Sequence, residues 1–286
     1  MGLFSGLESL GLGKMKETKI FEPEKTEEGA DGEGTTAGRP VSSAPKRLEK
    51  DVLFDKSYTC PICDNEFTSK TIRAGKTKLI EQELDLRSKY DLSDPVKYEP
   101  VVCGKCGFAA LSRFFKPVSS THAKLIQENI SATFKGITEP GEVYSYEDAI
   151  LRYKLVLAST VVKQAKNSER AYVCLKMAWA YRGQAENLPS DTPDREKVLE
   201  EIKAAEQECI ENAYEGFKAA FSQEAFPMCG MDESTVTYLI AELARRVGAY
   251  EEAGRWISQI LTSRSASERL KDKARTIKDL IAKEKK

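Results

Sequence analysis

The chain is poor in histidine, the side chain that titrates nearest neutral pH. It has one histidine in 286 residues. It carries no Walker loop, no glycine-rich dinucleotide turn and no triad partner set around that histidine. His122 falls near the start of a predicted helix and reads as a partly exposed helix residue, so the chain is not expected to be an enzyme. No run approaches the 18 or more apolar residues of a membrane span. Excess charge of either sign is also missing, with 44 basic against 45 acidic residues. That balance argues against a bulk polyanion binder and leaves local basic patches open. The start, "MGLFSGLESLGLGK", has no basic n-region and no clear cleavage site, so it is not read as a secretory signal. Its sixth residue is Gly6, which fails the myristoylation pattern. The expected location is cytoplasmic.

What is present is an ordinary soluble composition, 41% hydrophobic and 31% charged. Four regions follow from composition. In residues 1–15, Leu3, Phe4, Leu7 and Leu10 can line one face of a short helix. A frayed tail is the plainer expectation, and a docking or membrane-touching peptide the sharper one. Residues 16–51 are rich in Gly, Pro, Ser, Thr and charge, and are expected to be a disordered linker. Residues 52–118 read as a β module of short segments rich in β-branched and aromatic residues. Its strand excursion is expected to contain one hairpin around Gly75 and another near Asp91–Pro95. Residues 119–286 read as helical.

The helical text carries its own punctuation. "SSTHAKLIQENISATFKG" opens on cap residues and ends at Gly136. In "YSYEDAILRYKLVLASTVVKQAK", apolar residues fall on more than one face, which predicts a helix covered on several sides. Thr192 is placed to cap a long helix with Pro193 at its first position, running to about Phe226. "DESTVTYLIAELARRVG" stops at Gly248 and pairs with "YEEAGRWISQILTS" through a short turn. Ser265 and Glu268 suggest a capping box before a last helix striped by Leu270, Ala274, Ile277 and Ile281.

Two C-x-x-C pairs stand out among seven cysteines. Cys60 and Cys63 lie in "YTCPICDNEF", and Cys103 and Cys106 in "VVCGKCGFAA". Each has the form of a knuckle, a tight turn that aims two thiolates at one point. Two knuckles make a tetrahedral four-cysteine zinc site with no open position, hence one structural ion. Zinc binding is worth about 10–16 kcal/mol in small fingers, enough to staple a small β module. A redox pair and an iron–sulfur centre are the competing readings. Cys174 and Cys209 read as small buried hydrophobes.

"YTCPICDNEF", "DLSDPVKYEPVVCGKCGFAA", "LKMAWAYR" and "MDESTVTYLIAELARRVGAYEEAGRWISQIL" together resemble a bacterial family known as domain of unknown function 2225, over about Tyr58 to Leu261. The resemblance implies a zinc-ribbon-like module followed by tetratricopeptide-like helices, with no assigned activity. It carries the metal role to Cys60, Cys63, Cys103 and Cys106. Asp64 departs from the glycine more usual in such knuckles.

The fold expected is mainly α with a small β module: a four-cysteine zinc ribbon followed by tetratricopeptide-like antiparallel helix pairs. Ala241, Gly248 and Ala253 match the small residues and turn glycine of such a repeat, while Ala244 sits where a larger residue is commoner. Trp179, Tyr181, Tyr250 and Trp256 read as core. Arg182, Arg245 and Arg246 read as a solvated face, or else as the lining of a groove for an acidic peptide. The function expected is that of an adaptor binding an unidentified protein or peptide partner. Nucleic-acid binding through the ribbon is the first alternative. Residues 56–116 hold 11 Lys/Arg and 8 Asp/Glu, and four thiolates on one zinc remove most of that surplus. Lys70, Arg73, Lys76 and Lys78 nevertheless cluster. A redox- or metal-responsive regulator is the other alternative.

Overall fold

At the centre of the molecule is a helix buried almost all round. This helix, α2 (Tyr146–Val162), is capped by Ser145 and Asp148, each side chain accepting the other's backbone N–H. From Ala149 to Thr160 every residue but Leu151 is buried, which is the several-sided cover its apolar pattern predicts. The computed structural model describes residues 2–18, 20–21, 48–138 and 141–285. Among these lie six strands, in three separate antiparallel pairs, and seven α-helices. The chain is thus mainly α with a small β module.

Strands β1 (Leu53–Thr59) and β2 (Glu66–Ile72) pair from Leu53↔Ile72 to Thr59↔Glu66. The pair β3 (Leu79–Gln82) and β4 (Ser88–Tyr90) forms a second arm, and β5 (Pro100–Val102) and β6 (Ala109–Leu111) a third. Neither Gly75 nor Asp91–Pro95 is the turn of a hairpin. The first and third hairpins turn at the cysteine knuckles, and the middle one turns over Glu83–Arg87. Asp94 instead caps a 3₁₀ turn over Pro95–Tyr98, accepting the Val96 amide.

β5 and β6 lie directly on α2. Phe108, Ala109 and Leu111 are buried in this seam, and the Ala109 amide donates to Ser159 Oγ at 3.1 Å. Phe115 stands edge-on or tilted against Tyr58, Phe67 and Phe108. Helix α1 (Ser120–Ile126), capped by Ser119, continues as a π-helical turn over Gln127–Ser131. Helices α3 (Asn167–Glu186) and α4 (Arg195–Gln223) form one long antiparallel pair. α5 (Glu233–Arg246) and α6 (Tyr250–Thr262) form another, closed at Gly248, whose φ of +77° suits glycine. Ala241, Ala244 and Ala253 have no exposure, so these two helices approach closely. The last helix, α7 (Glu268–Glu284), buries Ala274, Ile277 and Ile281 on the predicted stripe.

Two caps differ from expectation. Thr192 spends its hydroxyl on the Pro189 carbonyl, and α4 starts after Asp194 with no side-chain cap. Ser265 contacts Ser234 and Ser263, which leaves Ser267 to cap α7. Helix α4 also stops at Gln223, before Phe226.

The first residues are no frayed tail. Leu7 is fully buried, and Leu3, Phe4, Leu10, Leu12 and Met15 join the main core. The Leu3 amide donates to Glu208, Lys154 Nζ to the Ser5 carbonyl at 2.6 Å, and the Lys135 amide to the Leu10 carbonyl. The segment is a chain of turns followed by a 3₁₀ turn over Gly13–Glu17. Its apolar residues are covered by the chain itself. Ile20, within the expected linker, is buried too. Described structure resumes at Leu48, ahead of the expected Val52, and Glu49 takes hydrogen bonds from Ser93, Lys97 and Tyr98. The rest of the expected linker, residue 19 and residues 22–47, lies outside the described residues.

Candidate metal centre

Two hairpin turns of the same design face one another. In the first, the Cys60 amide donates to the Asn65 carbonyl at 2.9 Å and the Asp64 amide to the Cys60 carbonyl at 3.0 Å. In the second, the Cys103 amide donates to the Phe108 carbonyl and the Gly107 amide to the Cys103 carbonyl, both at 2.9 Å. The residue after the second cysteine has a left-handed backbone in both, φ +53° at Asp64 and +76° at Gly107. Asp64 therefore holds the glycine conformation without glycine, which an Asp tolerates better than most residues. Gly107 has a second reason to lack a side chain, since a Cβ there would lie 2.7 Å from the Phe134 ring.

The turns bring four sulfurs together, all within 4.8 Å of one another. Cys60 and Cys106 stand 3.5 Å apart, and Cys63 and Cys103 3.7 Å. Sulfurs at the usual Zn–S distance of about 2.3 Å in a tetrahedron are separated by about 3.8 Å, whereas a disulfide needs about 2.05 Å. The four cysteines therefore fit a single tetrahedral ion. Cys60, Cys103 and Cys106 are buried and Cys63 is half-buried. The Ile62 amide points to Cys60 Sγ at 3.5 Å, and Asn65 Nδ2 to Cys103 Sγ at 3.8 Å, a contact that ties one knuckle to a sulfur of the other. Gln127, on the π-helical turn, braces the first knuckle by donating to the Ile62 carbonyl.

Packed thiols share charge poorly. The hydrogen bond to Cys103 pushes the Cys60 thiol up to about 12. Contacts with Cys103 and Cys60 push Cys106 up as well, and Cys103, receiving from both, is pulled down. The cluster takes one negative charge easily and four only with a cation at its centre. Cys174 and Cys209 are fully buried in α3 and α4, and Cys229 donates to the Ser168 carbonyl. None of these three joins the group. Asn65 and Gln127 were not anticipated, because nothing in a single sequence marks a lone amide as a partner of a sulfur or of a knuckle carbonyl.

The other expected residues are scattered. Trp179 is buried, with its Nε1 donating to Asp85 at 3.1 Å, and Trp256 packs edge-on to Phe221. Tyr181 and Tyr250 are partly buried against the core. Arg182, Arg245 and Arg246 form neither a solvated face nor an open groove. Arg182 pairs with Glu83, with Asp85 at 2.8 Å and with Glu206 at 2.7 Å. Arg245 and Arg246 clamp the fully buried Glu242. The turn between β3 and β4 thus lies across α3 and α5 as their own acidic ligand. Lys70 pairs with Asp55, and Arg73 stacks on Phe54 while donating to the Leu53 carbonyl, so half of the expected basic cluster is committed. His122 lines a recess of about 1200 Å³ with Phe114, Lys163, Lys166, Arg170 and Gln223. No helix among the described residues is long and apolar enough to cross a membrane.

No solved structure matches this chain. An uncharacterised protein of Borreliella burgdorferi is 24% identical over 172 residues, covering 52% of this chain and 58% of that protein. The chain thus spans little more than half of that relative's length. Residues 53–281 match DUF2225, described as an uncharacterised protein conserved in bacteria, and the chain belongs to that family.

Proposed function

We propose that this protein is a zinc-stapled interaction module of a reducing, cytoplasmic compartment. One structural zinc sits on Cys60, Cys63, Cys103 and Cys106, and the tetratricopeptide-like helices present a surface to a protein or peptide partner. The sulfur geometry supports one tetrahedral metal ion, since separations of 3.5 and 3.7 Å are those of a tetrahedral edge, and the all-thiolate donor set favours zinc as that ion. Four protein ligands leave no site for a catalytic water, so the metal would fix both knuckles against α2 and take no part in chemistry.

The alternative of an acidic-peptide groove lined by Arg182, Arg245 and Arg246 is not favoured, because the β3–β4 turn and Glu242 already pair with these side chains. The recess beside His122 supports a partner site better. It lies where the segment leaving the ribbon meets the ends of α2, α3 and α4, and Lys116 and Lys166 on its rim are exposed. A partner with acidic side chains fits that rim. Nucleic-acid binding is favoured less, with Lys70 and Arg73 committed to the chain's own groups.

Elemental analysis of the purified protein tests the metal, with one zinc per chain expected and none in Cys103→Ser. Cobalt substitution adds a check on ligand type, because four thiolates give intense charge-transfer absorption. Pull-downs from native lysate with the intact chain, Cys103→Ser and Lys166→Glu test the partner. A specific partner lost with Lys166→Glu supports the recess, and the lack of any specific partner overturns the adaptor reading.

A further inference from the structure

The β3–β4 arm is pinned at one end and bare at the other. At its turn, Asp85 and Arg87 are buried in ion pairs with the helices. At its open end, Leu79 and Ile80 are 55% and 68% exposed, and Ile80 is the most exposed large apolar residue among those described. The ladder sets Leu79 opposite Tyr90 and Glu81 opposite Lys89, so Ile80 is the extra residue of a bulge. A bulge with flanking charge blunts a strand edge against simple strand addition. Any contact here is made by side chains.

The charges around the two aliphatics are ordered. Arg73, Lys76 and Lys78 precede them and Glu81 follows, all exposed. Lys76, Lys78 and Glu81 make no ion pair among the described residues, while the neighbouring Asp91 is committed to the Lys78 amide. A charge order that reverses sign across an apolar centre is complementary to itself when turned end for end.

We propose that a second copy of this chain docks on this arm about a two-fold axis. Leu79 and Ile80 pack on their counterparts, and Lys78 of each copy lies beside Glu81 of the other. Such an isologous contact uses the Lys78–Glu81 pair twice and with the right sign. An anionic membrane would attract Lys76 and Lys78 but repel Glu81. A nucleic acid would find two aliphatics where base stacking needs aromatic rings. The patch is small beside stable interfaces, so the dimer is weak and depends on concentration and salt.

Sedimentation equilibrium of the full chain at rising concentration tests this. A reversible monomer–dimer equilibrium that weakens with salt is expected. Ile80→Asp should abolish it. Lys78→Glu and Glu81→Lys should each weaken it roughly tenfold, while the double charge swap restores it. All three positions are exposed, and circular dichroism checks that each variant folds. A chain that stays monomeric throughout overturns the proposal, and so does a dimer indifferent to these substitutions. Binding to phosphatidylglycerol vesicles or single-stranded RNA without dimerisation, lowered by Lys78→Glu and raised by Glu81→Lys, also overturns it in favour of an anionic partner.

Discussion

Asp64 and Gly107 occupy equivalent places in the two knuckles for different reasons. Asp64 is exposed and holds its left-handed backbone at a cost that glycine would not have. Asp64→Gly should leave the metal content unchanged and raise stability by up to about 1 kcal/mol, read from elemental analysis and denaturant midpoints. Gly107→Ala meets both the backbone penalty and the Phe134 ring. It should cost about 2 kcal/mol or more in the same measurement. Asp85 is the other residue on which much rests. Burial alone would raise its carboxyl, but the Arg182 and Arg246 guanidiniums more than offset this and hold it below the usual carboxylate range. A carboxyl depressed in the folded state stabilises the protein above its unfolded value, about pH 4, and this contribution fades as pH falls through the folded value. Asp85→Asn should therefore cost about 1.5–3 kcal/mol near neutrality, because it removes the buried anion shared by Arg182, Arg246 and Trp179 while Glu83, Glu206 and Glu242 still face the arginines. Its melting temperature should also fall less steeply than the parent's between about pH 5 and pH 3. An equal slope would remove Asp85 as the titrating group.

Elements show how a correct local pattern can serve an unexpected end. The apolar spacing of Leu3, Phe4, Leu7 and Leu10 was visible, but its destination was not. The groups that hold its backbone, Lys135, Lys154 on α2 and Glu208 on α4, lie well over a hundred positions away, and its apolar residues join the main core. Leu7→Ala should cost about 2–5 kcal/mol, as for other fully buried leucines. Deleting residues 2–12 should expose apolar surface that binds a hydrophobic dye, whereas loss of a frayed tail would leave both readings unchanged. Caps illustrate the same limit. Ser119, Ser145 and Asp232 cap the helices they precede, since nothing nearby competes for them. Thr192 and Ser265 were just as plausible by type, and lost that role to a local turn and to neighbouring serines.

Across the whole molecule, one buried cluster runs from Cys60, Cys103 and Cys106 through Phe108 and Tyr153 to Ile277 and Ile281. Zinc affinity in small fingers, about 10–16 kcal/mol, is as large as the entire stability of a typical domain, about 5–15 kcal/mol. Removing the metal should therefore destabilise the helices as well as the ribbon. Chelation of the native protein, or Cys103→Ser, should move near- and far-ultraviolet dichroism transitions down together, as one transition. Separate transitions would show that ribbon and helices are independent folding units.

Sequence alone determined the helices with strong 3.6-residue periodicity and the two cysteine knuckles. Each of these is set by residues within a few positions of one another: a C-x-x-C turn aims its sulfurs wherever it occurs, and an apolar stripe makes a helix whatever covers it. Only the tertiary structure decided what covers what. It placed the first residues in the core, laid the Glu83–Asp85 turn on Arg182 and Arg246, and turned the ribbon hairpins at the knuckles. A charged residue reads the same in sequence whether it ends in water or in a buried ion pair, because its partner is chosen by surfaces that meet only after the chain has folded.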